Sequence, residues 1–156
     1  MDPQFDPALD LLIERRIDAP PGALWACWTR PELMEQWFCP VPWKMTDIAL
    51  DLRPGGHFRG VIRGPAGEAM PNVGCYLEVV TERRLVWTDA LAGGFRPKAE
   101  PFMTGIITFE PVPGGTLYRG VALHANAEAR AKHEAMGFHE GWGKATDQLA
   151  ALARTL

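Results

Sequence analysis

Along the chain, apolar positions recur first with the period of strands and only later with the period of a helix. Leu11 to Asp18 is a β-rich apolar run that predicts a first strand, and Ala19-Pro20-Pro21-Gly22 breaks it. A short helical turn over Ala23 to Trp28 follows, ending near Thr29-Arg30-Pro31. A second short helix is predicted over Pro31 to Trp37, with proline at its first position, where a missing N–H costs nothing. Pro40 and Pro42 then force a loop between Cys39 and Trp43. From Trp43 to His124, apolar segments of six to ten residues are punctuated by Arg53-Pro54-Gly55-Gly56, Gly64-Pro65-Ala66-Gly67, Thr81-Glu82-Arg83, Gly93-Gly94 and Pro113-Gly114-Gly115. This predicts an antiparallel meander of strands at 43–52, 57–63, 72–80, 84–90, 103–110 and 115–124, seven strands with the first.

The C-terminal segment switches to helical spacing. Asn126 is a candidate N-cap with Glu128 in the first turn, and Phe138, Trp142, Ala145, Leu149, Leu152 and Leu156 form one apolar stripe. Such a stripe predicts a helix packed on the sheet. Gly137, Gly141 and Gly143 interrupt its front, at about 1 kcal/mol each relative to alanine in a helix interior. Two readings are open and compatible: a break near Gly137 dividing 127–136 from 139–154, or a helix relieved of bulk where it passes over a cavity. Residues 1–10, rich in proline and aspartate, are expected to be a flexible lead, and residues 11–156 a single domain.

Composition narrows the possibilities mainly by exclusion. At 156 residues and 47% hydrophobic, the chain can bury roughly two-thirds of its unfolded surface without disulfide or metal staples. Sixteen basic against nineteen acidic side chains give a net charge of −3, with no basic cluster of the kind phosphate backbones require, so no nucleic-acid partner is expected. Nor does any apolar run approach the roughly 20 residues of a membrane span, and no signal segment is visible, so a cytoplasmic location without membrane attachment is expected. Cys27, Cys39 and Cys75 lack any C-x-x-C pairing and read as reduced thiols. Serine is absent altogether, which removes every serine-nucleophile hydrolase. His133-Glu134 and His139-Glu140 begin like zincin motifs, but glycine (Gly137, Gly143) stands where the second histidine belongs, so neither a metal site nor a cofactor is expected.

What stands out is tryptophan. Six are present, and Trp25, Trp28, Trp37, Phe38 and Trp43 crowd into the two short helices and the loop after them. They form either the mouth of an aromatic pocket or a hydrophobic plug at one end of the sheet. On the last strand Tyr118, Gly120, Ala122 and His124 share a face with little bulk in its middle. If that face is turned inward it leaves room for a ligand; the alternative turns Leu117, Val121 and Leu123 inward.

The order of these elements resembles the START-like (SRPBCC) superfamily. Trp28-Thr29-Arg30-Pro31-Glu32-Leu33, Trp37-Phe38 and Asp51-Leu52-Arg53-Pro54-Gly55-Gly56 resemble its branch named for the activator of 90-kDa heat-shock protein ATPase homologue, C-terminal-domain-like. So do Gly64-Pro65-Ala66-Gly67, Gly74 with Glu78-Val79, Arg84-Leu85-Val86, Gly114-Gly115-Thr116, His124 and Gly141-Trp142 with Leu149, over residues 11 to 154. The resemblance implies an α+β helix-grip (START/Bet v-like) fold, in which a curved seven-stranded antiparallel sheet wraps around a long C-terminal helix. It also implies an internal hydrophobic cavity that in many relatives takes an apolar ligand. Residues matching a lining are Trp28, Trp37, Phe38 and Trp43 of the helical segment, Phe58 and Trp87 of the meander, Tyr118 and His124 of the last strand, and Phe138 and Trp142 of the helix.

Fold carries function only weakly, and three functions follow as expectations. The first is binding of a small apolar, lipid-like or aromatic molecule, oriented by His124 or Tyr118. The second is a cyclase or hydratase in which His124 shuttles a proton with Asp89 or Tyr118, so whether the chain is an enzyme stays open. The third is a chaperone partner in the stress response, whose ATPase the chain would stimulate. A homodimer is also expected from the resemblance.

Overall fold

The computed structural model describes residues 5–156; residues 1–4 of the expected lead lie outside that range. Strand β1 (Asp10–Ile17) leads into helices α1 (Pro21–Thr29) and α2 (Pro31–Met34). The meander follows as β2 (Lys44–Leu50), β3 (His57–Arg63), β4 (Ala69–Val80) and β5 (Arg84–Thr88). A small hairpin, β6 (Leu91–Ala92) and β7 (Arg96–Pro97), precedes β8 (Thr104–Val112) and β9 (Gly115–Leu123), and helices α3 (Ala127–Ala135) and α4 (Phe138–Ala153) close the chain.

One antiparallel sheet holds seven strands in the order β1-β9-β8-β5-β4-β3-β2. Tight turns place consecutive strands side by side, while β1 joins β9, with Asp10 opposite Leu123 and Ile17 opposite Thr116. The α1–α2 segment therefore crosses from one edge of the sheet to the other, and α4 lies on the same concave face. Side-chain alternation makes that face legible on β9, where Thr116, Tyr118, Gly120 and Ala122 are buried and Leu117, Val121 and Leu123 only half-buried. Of the two facings open from sequence, the structure adopts the one with Tyr118, Gly120 and Ala122 inward.

Several boundaries differ from the sequence-based expectation for local reasons. Asp89 turns out of the sheet after Thr88, because its Oδ1 accepts the Phe102 and Met103 N–H groups at 2.7 and 3.1 Å. The β6–β7 hairpin fills the interval that follows. Helix α2 stops at Met34 and continues as a turn through Trp37, and α4 ends at Ala153, leaving Leu156 of the expected stripe 56% exposed. The described part of the lead is a hydrogen-bonded turn: Asp6 Oδ1 accepts from Ala8 N and Asp10 Oδ2 from Asp6 N, both at 2.9 Å.

Asn126 caps α3, its Oδ1 accepting from Ala129 N at 2.8 Å. The break between α3 and α4 falls at Gly137, whose φ of +92° lies in the left-handed region where a Cβ is penalised. A second glycine is required by packing. A Cβ on Gly105 of β8 would stand 2.6 Å from the ring of Trp87, which lies directly over it. Gly105→Ala should therefore force the buried Trp87 off its seat and lower the unfolding free energy by about 1–3 kcal/mol, measured by urea denaturation; an unchanged midpoint would mean that the ring is not held there.

Candidate functional site

The concave face is packed with rings. Trp28 of α1 is in the middle, its centroid 4.9 Å from Trp37, 5.8 Å from Phe38 and 5.3 Å from Trp87. Phe58 stacks on Trp87 at 5.6 Å, and Phe38 meets Trp142 of α4 edge-on at 5.5 Å. The indole N–H groups of the two central rings are satisfied. Trp28 Nε1 donates to Tyr118 Oη at 3.2 Å, and Trp37 Nε1 donates to the Cys27 carbonyl at 2.9 Å. Burial raises the pKa of the Tyr118 hydroxyl well above that of an ordinary phenol, so it stays protonated. Of the two readings open for the clustered aromatics, the plug describes Trp28, Trp37 and Phe38, which pack with Phe58 and Trp87 of the sheet, while Trp25 meets Phe109 edge-on at 5.7 Å. Trp43 stands apart, half-buried before β2 and in ring contact with none of them among the described residues.

Two spaces flank this plug, and α4 separates them. Beneath the helix an apolar void of about 20 Å³ is bounded by Trp87, Met103, Gly105, Tyr118, Gly120, Ala122, Phe138 and Trp142. It is room for about one water, yet its walls offer little to hydrogen-bond one. On the outer side a groove of about 220 Å³ runs over Phe38, Cys39, Pro40, Ile62, His133, Met136, Gly137, Phe138, Gly141, Trp142 and Ala145. Phe138 and Trp142 line both spaces, so these two side chains are the wall between them. A Cβ on Gly141 would meet nothing within 4 Å, and that empty position adjoins Trp142. Gln148 of α4 anchors the groove's rim, its Nε2 donating to the Trp37 and Cys39 carbonyls at 3.0 and 2.8 Å while its Oε1 accepts Val41 N at 3.0 Å. Sequence reasoning passed over Gln148; its only signal was a polar position beside the apolar stripe.

A larger hollow, about 440 Å³, opens on the opposite face of the sheet around Arg84, Ile106, Thr108, Glu110, Arg119 and Val121. Two of its cations are ion-paired, Arg119 with Glu14 at 2.9 Å and Arg84 with Glu78 at 3.2 Å, while Arg83 and Glu110 also line it.

The histidine expected to orient a ligand does not face one. His124 is buried, and both its ring nitrogens are engaged: Nδ1 donates to the Leu9 carbonyl at 2.8 Å, and Nε2 lies 2.8 Å from His133 Nδ1. Asp89, its expected partner, makes no hydrogen bond to it and instead holds the Phe102 loop. His133 of α3 is the residue that reaches the groove. Its ring is seated between Phe102 and Phe138, with centroids at 4.6 and 5.0 Å. Burial pushes its pKa down to about 4, helped by His124 and opposed by Asp89. Burial pushes the Cys27 and Cys39 thiols up to about 11, which disfavours their thiolate forms. No cluster of three or more metal-ligating side chains occurs among the described residues, and no described helix is long and apolar enough to cross a membrane.

The model of the family Activator of Hsp90 ATPase homolog 1-like protein, AHSA1, matches residues 18–154. The chain belongs to the AHSA1 family. Among solved structures, this AHSA1 chain is similar to protein NE0264 of Nitrosomonas europaea, at 44% identity and a TM-score of 0.94, with 97% of each chain covered. It is also similar to protein Ms6760 of Mycobacterium smegmatis, at 29% identity and a TM-score of 0.78, covering 93% of this chain and 90% of that one. A Rhodobacter sphaeroides protein at 24% identity shares the fold, with a TM-score of 0.82 over 96% and 95% of the two chains. No curated protein matches the sequence.

In this AHSA1 domain the histidine pair has a consequence for stability. The folded pKa of His133 lies below the unfolded value of 6.5, so the unfolded chain binds more protons between the two values and stability rises with pH in that window. The groups around the ring are His124 of β9's end, Asp89 of the β5–β6 turn, and the Glu134–Arg130 and Glu134–His139 pairs of α3 and α4. Unfolding free energy should therefore fall as pH drops from about 6.5 toward 5, before the carboxylates titrate, and His133→Phe should flatten that slope. An equal slope in both proteins, measured by urea unfolding across the window, would contradict the assignment.

Proposed function

We propose that the chain binds a small, neutral, largely apolar molecule between α4 and the sheet, entering from the outer groove. The observation that carries this reading is the shared lining: Phe138 and Trp142 border both a largely apolar 220 Å³ groove and a void floored by Gly105, Gly120 and Ala122. Small floor residues beneath movable rings allow the two spaces to merge when Trp142 swings aside. Gly141 leaves free space beside that ring, and Gly141 and Gly143 each weaken the helix front by about 1 kcal/mol relative to alanine. The gain is apolar burial, at about 25 cal/mol per Å². Because the closed void is far smaller than the roughly 300 Å³ of a preformed ligand site, binding selects an opened state. The ligand-contacting residues of this reading are Phe38, Trp87, Phe138 and Trp142, with Trp28, Trp37 and Phe58 as the packed backing behind them. The cyclase or hydratase reading finds no support in His124, whose ring nitrogens are both taken.

The family's description favours a second reading, stimulation of a chaperone ATPase through a protein interface. Addition of the purified chain to a 90-kDa heat-shock protein should raise its ATPase rate if that reading is right; no change in rate and no co-purification would dispose of it.

For the ligand reading, 1-methoxynaphthalene is a suitable neutral probe. Calorimetric titration should show binding with a negative heat-capacity change, and Ala122→Leu, which fills the void from below, should weaken it about tenfold. Absence of binding to the wild-type protein would overturn the proposal.

A further inference from the structure

We propose that His133 Nε2 is the hydrogen-bond acceptor that selects what the groove binds, so that the site prefers neutral apolar molecules carrying a hydroxyl or N–H donor. This inference rests on the groove being the ligand site. The argument is one of tautomers. The Leu9 carbonyl can only accept, so the proton of neutral His124 is on Nδ1, which donates to it. His124 Nε2 is then a lone pair, and the ring nitrogen facing it, His133 Nδ1, must be the donor. For two neutral rings the chain has one ending: His133 Nε2 carries no proton and accepts from no group among the described residues.

That nitrogen is not sealed in the protein. The fully buried side-chain nitrogens and oxygens without a hydrogen bond, among the described residues, are Tyr76 Oη and Arg119 Nε, and His133 Nε2 is neither. The His133 side chain is nevertheless only 7% exposed, and its residue lines the groove. The geometry thus points to a lone pair opening into a largely apolar trough. Phe102 and Phe138 hold the ring from two sides, and the bond to His124, itself tied to the lead through Leu9, fixes its rotation. The ring stays neutral over the physiological range, since its pKa lies near 4. It therefore offers an acceptor rather than a cation, and no charged side chain lines the groove among the described residues. A carboxylate or phosphate ligand would lose its hydration with no counter-charge to meet it. A phenol or alcohol would bury its apolar body against Phe138 and Trp142 and place its O–H on this acceptor.

Matched probes separate this from the underlying reading. Wild-type protein should bind 1-naphthol about three- to tenfold more tightly than 1-methoxynaphthalene, which has the same ring and no donor. His133→Phe keeps an aromatic ring at the site, removes the acceptor, and should bring the two probes to parity. Equal affinities in wild type, or a preference that survives His133→Phe, would overturn the inference while the groove remained a ligand site. Failure of both probes to bind would overturn the two together. Should the variant not fold, ring-nitrogen NMR of the wild-type protein decides: 1-naphthol must shift His133 Nε2 and 1-methoxynaphthalene must not, and identical responses contradict the proposal.

Discussion

The packing around Trp28 is the constraint from which the remaining architecture follows. One side chain of a short helix touches rings from the α2 turn and from β5 and donates a hydrogen bond to Tyr118 of β9. It thereby ties the helical crossing to strands β5 and β9 of the concave face. A nine-residue helix and a four-residue one have little intrinsic stability in water. Their position is set by this aromatic cluster and by Gln148, which holds the Trp37 and Cys39 carbonyls from α4. The interior is consequently closed by protein side chains, and what space is left lies at the margin of the plug, under and outside the glycine-bearing front of α4.

That margin joins elements distant in sequence. The lead supplies Leu9, β9 delivers His124, α3 delivers His133, and the loop stapled by Asp89 supplies Phe102. The two rings share a direct hydrogen bond in a largely apolar setting, which makes the direction of each proton matter and leaves one acceptor turned outward. The same burial that holds His133 in place makes its protonation a cost. Binding chemistry and acid sensitivity therefore have a single origin at His133.

Most of the fold could be read from periodicity and punctuation. The alternation of Tyr118, Gly120 and Ala122, the Pro-Gly turns of the meander, the Asn126 cap and the break at Gly137 are local signals, and local signals survive folding. The site was legible only in part. Phe138 and Trp142 announced themselves through helical spacing, but the engagement of His124 was not legible, because its partners, Leu9 and His133, come from a lead expected to be flexible and from a helix face with no apolar stripe. Trp43 shares its stretch of sequence with the other rings, but it stands in the turn closed by Trp43 N donating to the Pro40 carbonyl at 2.9 Å, outside their ring contacts among the described residues. Whether rings line a pocket or fill it depends on volumes, and no sequence pattern encodes the difference between a 20 Å³ void and a ligand chamber.

The most direct test of this account is a crystal structure of the protein soaked with 1-naphthol. The account predicts the naphthalene ring between Phe38, Phe138 and a displaced Trp142, with its oxygen at hydrogen-bond distance from His133 Nε2. Density in the hollow between Arg84 and Arg119 on the opposite sheet face, with Trp142 unmoved, would contradict it.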